Sequence, residues 1–137
     1  MTQPQEHTMA EKAAAARKLS PSERLIHIAI VDYLNAVLPE SHLVAHLYNN
    51  PRSAAAGAAA KRMGMLAGIP DLMIIRPLGR MMFIEVKKEG GRLSPEQTAF
   101  RLFCKQWGVP HAVCRSIEDV REYLDEWGVE TKEARAA

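Results

Sequence analysis

Two carboxylates and one lysine lie at the ends of two short apolar segments near the middle of the chain. Asp71 opens the first segment, and Glu85 and Lys87 close the second. The Pro-Leu-Gly sequence between the segments, at 77–79, is typical of a tight turn and predicts an antiparallel hairpin. With the turn centred on Leu78, Asp71 lies opposite Glu85, and strand alternation places Glu85 and Lys87 on one face.

A patch that holds two carboxylates and an ammonium group would suit a divalent cation. Like charges directly opposite one another destabilise a sheet, and a cation would relieve that repulsion. Hard oxygen ligands favour Mg²⁺ or Mn²⁺, which lowers the pKa of a bound water and stabilises charge on a phosphoryl oxygen. Lys87 could orient or deprotonate the attacking water, or stabilise the pentavalent transition state. In the alternative interpretation, Asp71 caps its strand and Glu85 pairs with Lys87 or Arg80 on a solvated surface.

The rest of the chain predicts helices and strands around this hairpin. Serines followed three residues later by an acid or amide predict helix starts at Ser20, Ser94 and Ser116. The predicted helices cover 20–38, 94–107 and 116–128, with a small helix over 53–65, and the predicted strands cover 42–48, 71–76, 80–87 and 111–115. The first helix carries a broad apolar stripe that includes Leu25 and Ile28. This order predicts an α/β fold, a mixed sheet with helices on its faces.

The motifs of the central region, taken together and in order, resemble the VRR-NUC domain of the PD-(D/E)XK nuclease superfamily. They are Gly68-Ile-Pro-Asp71, Glu85-Val-Lys87 and Gly91-Arg-Leu-Ser-Pro-Glu-Gln97, with Asn50 and Arg52 upstream and Trp107-Gly-Val-Pro and the 113–119 segment downstream. The resemblance covers about 23–128. It implies a restriction-endonuclease-like fold, a mixed sheet flanked by helices, and metal-dependent cleavage of DNA.

The resemblance also implies roles for particular residues. Asp71, Glu85 and the backbone carbonyl of Val86 would bind Mg²⁺ or Mn²⁺, and Lys87 would be the catalytic lysine. Glu23 and Gln97 would border the active site, with Glu23 as a further candidate ligand. Each of these two also occupies the third position of a predicted capping box, and the capping role and the active-site role are compatible. Members that consist of this domain alone resemble homodimeric enzymes that cut branched, Holliday-junction-like DNA.

Basic residues around small residues predict a surface that contacts DNA phosphates. The net charge is +5 over 51–92 and −4 over 116–137. Small residues let a phosphate backbone approach closely, and flanking cations neutralise it. The candidates are Arg52, Lys61 and Arg62 beside the alanine-rich segment, Lys88 and Arg92 beside a glycine pair, and Asn50. The alternative is a solvated face, with the alanines in a tight helix contact and Asn50 in a turn.

Composition limits the remaining possibilities. The chain has 137 residues and a net charge of +2, without a span long and apolar enough for a membrane or a secretory signal. Cys104 and Cys114 form no CxxC pair, which favours small buried side chains and a reducing cytoplasm. We expect an intracellular protein that a bacterium or a phage encodes. His42 and His46 share a strand face with no third zinc ligand beside them, which favours a core or surface pair, although His46 could lie near the cleft.

We expect one nuclease domain over 19–128, between tails over 1–18 and 129–137 that are mobile. The sequence leaves three alternatives to a junction-cleaving enzyme. The first is a less selective DNA nickase or repair nuclease that relies on a partner protein. The second is a non-catalytic DNA-binding module that retains the fold. The third is a structural or interaction protein, which would leave the pair Asp71 and Glu85 unexplained.

Overall fold

The computed structural model describes residues 21–48 and 52–133. The predicted tail over 1–18, the cap at Ser20 and Asn50 lie outside the described residues. Each predicted helix and strand is present, although the strands are one to three residues shorter than predicted. The elements are α1 (Pro21–Val37), β1 (Leu43–His46), α2 (Ala54–Arg62), β2 (Leu72–Arg76), a 3-10 turn (Pro77–Gly79), β3 (Arg80–Val86), α3 (Pro95–Trp107), β4 (His111–Cys114) and α4 (Ile117–Glu126).

The strands form one mixed sheet in the order β1-β2-β3-β4, which confirms the predicted α/β class. β1, β2 and β3 are antiparallel neighbours, whereas β4 runs parallel to β3. In the β2–β3 hairpin, Arg76 lies opposite Arg80, so the predicted register is correct. Leu78, at the centre of the turn, has a φ of 65°, a left-handed conformation that non-glycine residues adopt mainly in tight turns. The turn therefore sets the register that carries through to Asp71 and Glu85.

The main hydrophobic core lies on one face of the sheet, beneath α1 and α4. Even-numbered residues of β2, β3 and β4 point into it, as strand alternation requires. Its most deeply buried members are Ile30, Leu34, Leu72, Ile74, Met82, Ile84, Val86, Ala112, Cys114, Val120 and Leu124. On the other face, Phe83 meets Phe100 of α3 edge to face, with ring centroids 5.2 Å apart. The odd-numbered face of β3 is therefore the one that α3 covers.

The apolar stripe of α1 is divided between the core and the surface. Ile30 and Leu34 are fully buried, but Leu25 is 70% exposed and Ile28 is 47% exposed. The apolar stripe predicted from the sequence is therefore only partly buried. The core covers Ile30 and Leu34, while Leu25 and Ile28 form an exposed apolar edge of this helix.

The chain continues to pack on the domain beyond α4. Val129 and Thr131 are buried, and the Tyr33 hydroxyl donates to the Glu133 carboxylate at 2.8 Å. Cys104 and Cys114 are free and buried, as predicted. In the described part of the chain, we find no helix long and apolar enough to cross a membrane.

Candidate active site

The open end of the β2–β3 hairpin holds two carboxyl groups against each other. Asp71 immediately precedes β2, and its Oδ2 accepts a hydrogen bond from the Val86 backbone N–H at 2.8 Å. This bond ties the Asp71 side chain to β3, beside Glu85. Glu85 is only 2% exposed, although it is an ionisable residue. A carboxyl group is almost never buried so completely without a partner of opposite charge, and here its neighbour is a second acid.

Burial and repulsion both disfavour the charged form of Glu85. Burial has the larger effect, and with the nearby Asp71 carboxylate it raises the pKa of Glu85 to about 10, with Lys87 acting in the opposite sense. Glu85 Oε2 is buried and receives no hydrogen bond from the described residues. Contact between two carboxyl groups becomes a hydrogen bond only when one of them is protonated. Glu85 therefore needs either a proton, which its raised pKa supplies in the free protein, or a bound cation at this position.

Gln97 connects the start of α3 to this carboxyl pair. Ser94 and Gln97 form the predicted capping box, in which Ser94 Oγ accepts from the Gln97 N–H at 3.1 Å and Gln97 Oε1 accepts from the Ser94 N–H at 2.8 Å. The other end of the same amide donates from Nε2 to Glu85 Oε1 at 3.1 Å. The capping contact and the active-site contact therefore occur together, because the two ends of one amide make them.

Gly68 explains why the start of α3 can lie so close to Asp71. Its φ is +82°, and a Cβ atom at this position would overlap the backbone of Glu96 and Gln97. Only glycine adopts this conformation without strain and also leaves room for the first turn of α3. Pro70, two residues later, is fully buried. The Gly-Ile-Pro-Asp motif therefore positions Asp71 by packing its own loop against the helix that carries Gln97.

Lys87 and Glu23 complete the site from the other side. Lys87 Nζ lies 3.9 Å from Glu23 Oε1, and each side chain is 12% exposed. Glu23 is in the first turn of α1, so this ion pair joins the helix to the end of β3. The structure thus brings together all five side chains that the sequence singles out for catalysis, Glu23, Asp71, Glu85, Lys87 and Gln97.

Two histidines lie beside Asp71, namely His46, which the sequence allows near the cleft, and His27, which no sequence pattern assigned to the site. The His27 and His46 rings are 4.5 Å apart at an angle of 66°, and one ligand atom from each lies within 4.8 Å of the Asp71 carboxylate. Burial and the neighbouring His46 lower the pKa of His27, against an opposing effect of Asp71. His27 follows Glu23 by four residues, so the two share one face of α1. That spacing is the sequence signal that could have identified His27.

The predicted DNA-contacting residues lie outside this cluster. Arg52 precedes α2, and Lys61 and Arg62 form its last turn. Lys88 and Arg92 follow β3, within five residues of Lys87. All five side chains are exposed, and α2 has no buried residue. These cations are therefore accessible to a ligand. Along the chain, three of them precede Asp71 and two follow Glu85.

The residues at the hairpin end fit a hard divalent cation. Asp71 and Glu85 supply carboxylate oxygens, and Glu85 Oε2 is a buried acceptor with no donor among the described residues. A cation bound there would satisfy that oxygen and remove the repulsion that raises the pKa of Glu85. The Val86 carbonyl is adjacent in sequence, on the strand whose N–H already binds Asp71. Oxygen donors of this kind are those that Mg²⁺ and Mn²⁺ prefer.

Comparisons with known proteins identify the family of the chain and agree with its fold. Residues 10–118 match the VRR-NUC domain family. A solved structure described as a "VRR_NUC domain protein" is similar, with a TM-score of 0.62 at 21% identity, over 80% of this chain and 89% of its own. Another, described as a "VRR_NUC domain", has a TM-score of 0.54 at 23% identity, over 77% of this chain and 97% of its own. Among curated proteins, no sequence matches this chain.

Proposed function

This chain belongs to the VRR-NUC domain family and is a nuclease domain, and we propose that it is a metal-dependent endonuclease that hydrolyses DNA phosphodiester bonds at the hairpin end. The observation that carries the proposal is Glu85, a buried carboxyl group with one unpartnered oxygen, in contact with a second acid. Such an arrangement lowers the stability of the free protein. It is expected where the binding of a cation, and through it of a substrate, compensates for that loss.

Asp71, Glu85 and the Val86 carbonyl would hold the ion. Bound there, Mg²⁺ or Mn²⁺ would lower the pKa of a water ligand and neutralise charge on a phosphoryl oxygen. Gln97 fixes the rotamer of Glu85 through its Nε2–Oε1 bond, and the Val86 N–H fixes Asp71. These bonds orient both carboxylates before any ligand binds, which lowers the cost of assembling the site.

Lys87 supplies a cation next to the reacting phosphate in this proposal. Its ammonium group would orient the attacking water or stabilise the extra negative charge of the pentavalent transition state. Glu23 lies 3.9 Å from Lys87 Nζ, so Glu23 is a positioning residue that holds the lysine over the site. Because both side chains are only 12% exposed, this ion pair is less screened by solvent than a surface pair.

The exposed cations on either side of the centre would bind the DNA backbone without reading its sequence. Arg52, Lys61 and Arg62 lie at the two ends of α2, a helix composed otherwise of alanine and glycine. Lys88 and Arg92 lie just beyond the catalytic strand. Each phosphate that these residues contact would release counterions, so binding would weaken steeply as salt is raised.

We further propose that two copies of the chain act together on branched DNA. One centre cuts one strand at a time, and a symmetric dimer would place two centres on one junction. Exposed apolar side chains on α1 and α3 support self-association, since such patches mark interaction surfaces on soluble proteins. They are Leu25, Ile28, Leu102, Phe103 and Trp107. Sedimentation of the purified chain, which we expect to give the mass of a dimer, tests this part separately.

The test of the activity is a cleavage assay on three labelled DNAs. A four-way junction, the matching duplex and a single strand are incubated with Mg²⁺, Mn²⁺ or EDTA. We expect metal-dependent cleavage with the junction as the best substrate, loss of cleavage in Asp71→Asn, and wild-type cleavage in Asp32→Asn, an exposed aspartate of α1.

Other outcomes of this assay contradict defined parts of the proposal. Cleavage that persists in EDTA or in Asp71→Asn contradicts the metal-dependent mechanism. Equal cleavage of junction and duplex contradicts the structure preference and favours a less selective nickase or repair nuclease. Tight binding of the junction without cleavage in any metal favours a non-catalytic DNA-binding module.

A further inference from the structure

A second set of potential ligands lies beside the Asp71–Glu85 pair. His27 on α1, His46 at the end of β1 and Asp71 before β2 each offer one ligand atom, and the three atoms lie within 4.8 Å of one another. The β1–β2 ladder aligns two of them, because His46 pairs with Leu72, the residue after Asp71. The Leu47 N–H also donates to the Asp71 carbonyl at 2.8 Å. Backbone pairing and the packing of α1 therefore fix this arrangement.

His27 has an unsatisfied polar atom within this set. The residue is 7% exposed, and its Nδ1 has no hydrogen-bond partner among the described residues. A buried polar atom without a partner costs about 1–3 kcal/mol. The His46 ring lies edge-on to the His27 ring, with centroids 4.5 Å apart. An ion that binds the His27 Nδ1 together with His46 and the Asp71 carboxylate would supply the missing partner.

We propose that His27, His46 and Asp71 bind a divalent transition-metal ion such as Zn²⁺ or Co²⁺. Two imidazole nitrogens and one carboxylate oxygen are a ligand set that such ions prefer, whereas Mg²⁺ prefers oxygen donors alone. Because Asp71 is also a ligand of the proposed Mg²⁺ or Mn²⁺ site, the chain has two adjacent sites of different chemistry that share one carboxylate. This inference goes beyond the proposed cleavage reaction, since the ion can bind whether or not DNA is cut.

The experiment titrates Co²⁺ into the full chain, without an affinity tag, in the presence of excess Mg²⁺. The Mg²⁺ occupies the oxygen site, and the visible d–d absorption of Co²⁺ changes in energy and intensity when imidazole nitrogens replace its water ligands. We expect one equivalent of Co²⁺ to bind to the wild type and to be displaced by Zn²⁺. In His46→Gln, the affinity for Co²⁺ should fall by at least ~10-fold, the lower end of what even an outer-shell change costs a metal site. His27→Gln should behave in the same way.

Two variants serve as matched controls. His42→Gln changes a histidine near the same strand that is outside the set, and Glu85→Gln removes a ligand of the oxygen site only. Both should retain the Co²⁺ absorption. His46 is exposed, so His46→Gln keeps the test decisive if replacement of the buried His27 unfolds the chain.

Three results would overturn the inference. They are a wild type that binds no Co²⁺ in excess Mg²⁺, a folded His46→Gln variant that binds Co²⁺ as the wild type does, and a Glu85→Gln variant that loses Co²⁺ while His46→Gln retains it. The last result would place the ion at the oxygen site. A chain that cuts no DNA in any metal would contradict the proposed function and leave this titration unaffected.

Discussion

Replacement of Glu85 by glutamine should stabilise the metal-free protein, although it removes a residue of the proposed catalytic centre. The carboxyl group is 2% exposed and in contact with Asp71, so the folded state disfavours its charge. Glutamine has the same shape and no charge. Its amide could still accept the hydrogen bond from Gln97 Nε2 and could donate one to Asp71. The variant therefore relieves the repulsion without opening a cavity.

The pKa of Glu85 sets the size and the sign of the effect. The pKa of Glu85 is near 4.5 in the unfolded chain and is raised to about 10 in the folded protein. The contribution of Glu85 to the free energy of unfolding is therefore largest below pH 4.5, and it is lost as pH rises towards 10. At pH 7 the loss is limited by the interval between 4.5 and 7, since the buried group is then still protonated. At 1.36 kcal/mol for each pKa unit, the ceiling is about 3 kcal/mol. We expect Glu85→Gln to recover about 1–3 kcal/mol at pH 7.

The assay is urea unfolding of the wild type and Glu85→Gln in EDTA at pH 5 and pH 8. The difference in free energy of unfolding between the two proteins should be small at pH 5 and should grow in favour of the variant at pH 8. Mn²⁺ should then raise the free energy of unfolding of the wild type much more than that of the variant. Glu118→Gln, at an exposed acid of α4, controls for a simple change in net charge.

A variant that is less stable than the wild type at pH 8 in EDTA would contradict the destabilising effect of Glu85. A difference between the two proteins that does not change from pH 5 to pH 8 would contradict it too. Either result would mean that Glu85 is already compensated in the free protein, so that its burial is no sign of a missing cation.

Three further changes test the way in which the site is built. In urea unfolding, Gly68→Ala should lower the free energy of unfolding by about 3 kcal/mol or more, because the new side chain combines a left-handed φ with overlap on the start of α3. Gly79→Ala is the control, since it has a left-handed φ but open space around it, and it should cost only about 1 kcal/mol. Gln97→Ala should cost about 1–2 kcal/mol and weaken Mn²⁺ binding measured by calorimetry, and unchanged binding would contradict its role beside Glu85. Burial lowers the pKa of His111 to about 4. Stability that is present above pH 6.5 should therefore be lost as pH falls towards 4, by about 1–2 kcal/mol after allowance for partial exposure of the ring. His111→Gln should remove this pH dependence of the free energy of unfolding in urea, and an unchanged pH dependence would contradict the effect.

The hairpin and its catalytic ends could be predicted because local rules determine them. The turn at 77–79 fixes the register, and the alternation of strand residues then decides that Asp71 and Glu85 meet. Ser94 and Gln97 follow a capping pattern that is complete within four residues. Such features depend on neighbours in sequence, so the sequence contains most of what is needed to place them.

The spacing from Glu23 places His27 on the active-site face of α1, but the meeting of His27 and His46 depends on how α1 crosses the sheet, which local sequence rules do not determine. His46 has no second ligand within reach along β1, and its partners come from α1 and from the loop before β2. The exposure of Leu25 and Ile28 depends likewise on how much of α1 the sheet covers, which an apolar stripe does not specify. Gln97 shows a mixed case, since the cap was predicted and the bond to Glu85 required the three-dimensional position of α3.

The central claim is that Lys87 and the carboxyl pair beside it form the centre that cuts DNA. The most direct test compares single-turnover cleavage of a labelled junction in Mn²⁺ by the wild type, Lys87→Ala and Lys88→Ala. The two variants remove the same charge from adjacent positions, but Lys87 faces Glu23 at the site and Lys88 is exposed. We predict that Lys87→Ala binds the junction and cuts it at least ~10²-fold more slowly, the low end for loss of a group that acts on a proton in the transition state. Lys88→Ala removes one proposed phosphate contact, so it should bind the junction more weakly but, with the protein in saturating excess, cut the bound junction at nearly the wild-type rate. Cleavage by folded Lys87→Ala at the wild-type rate would contradict the account.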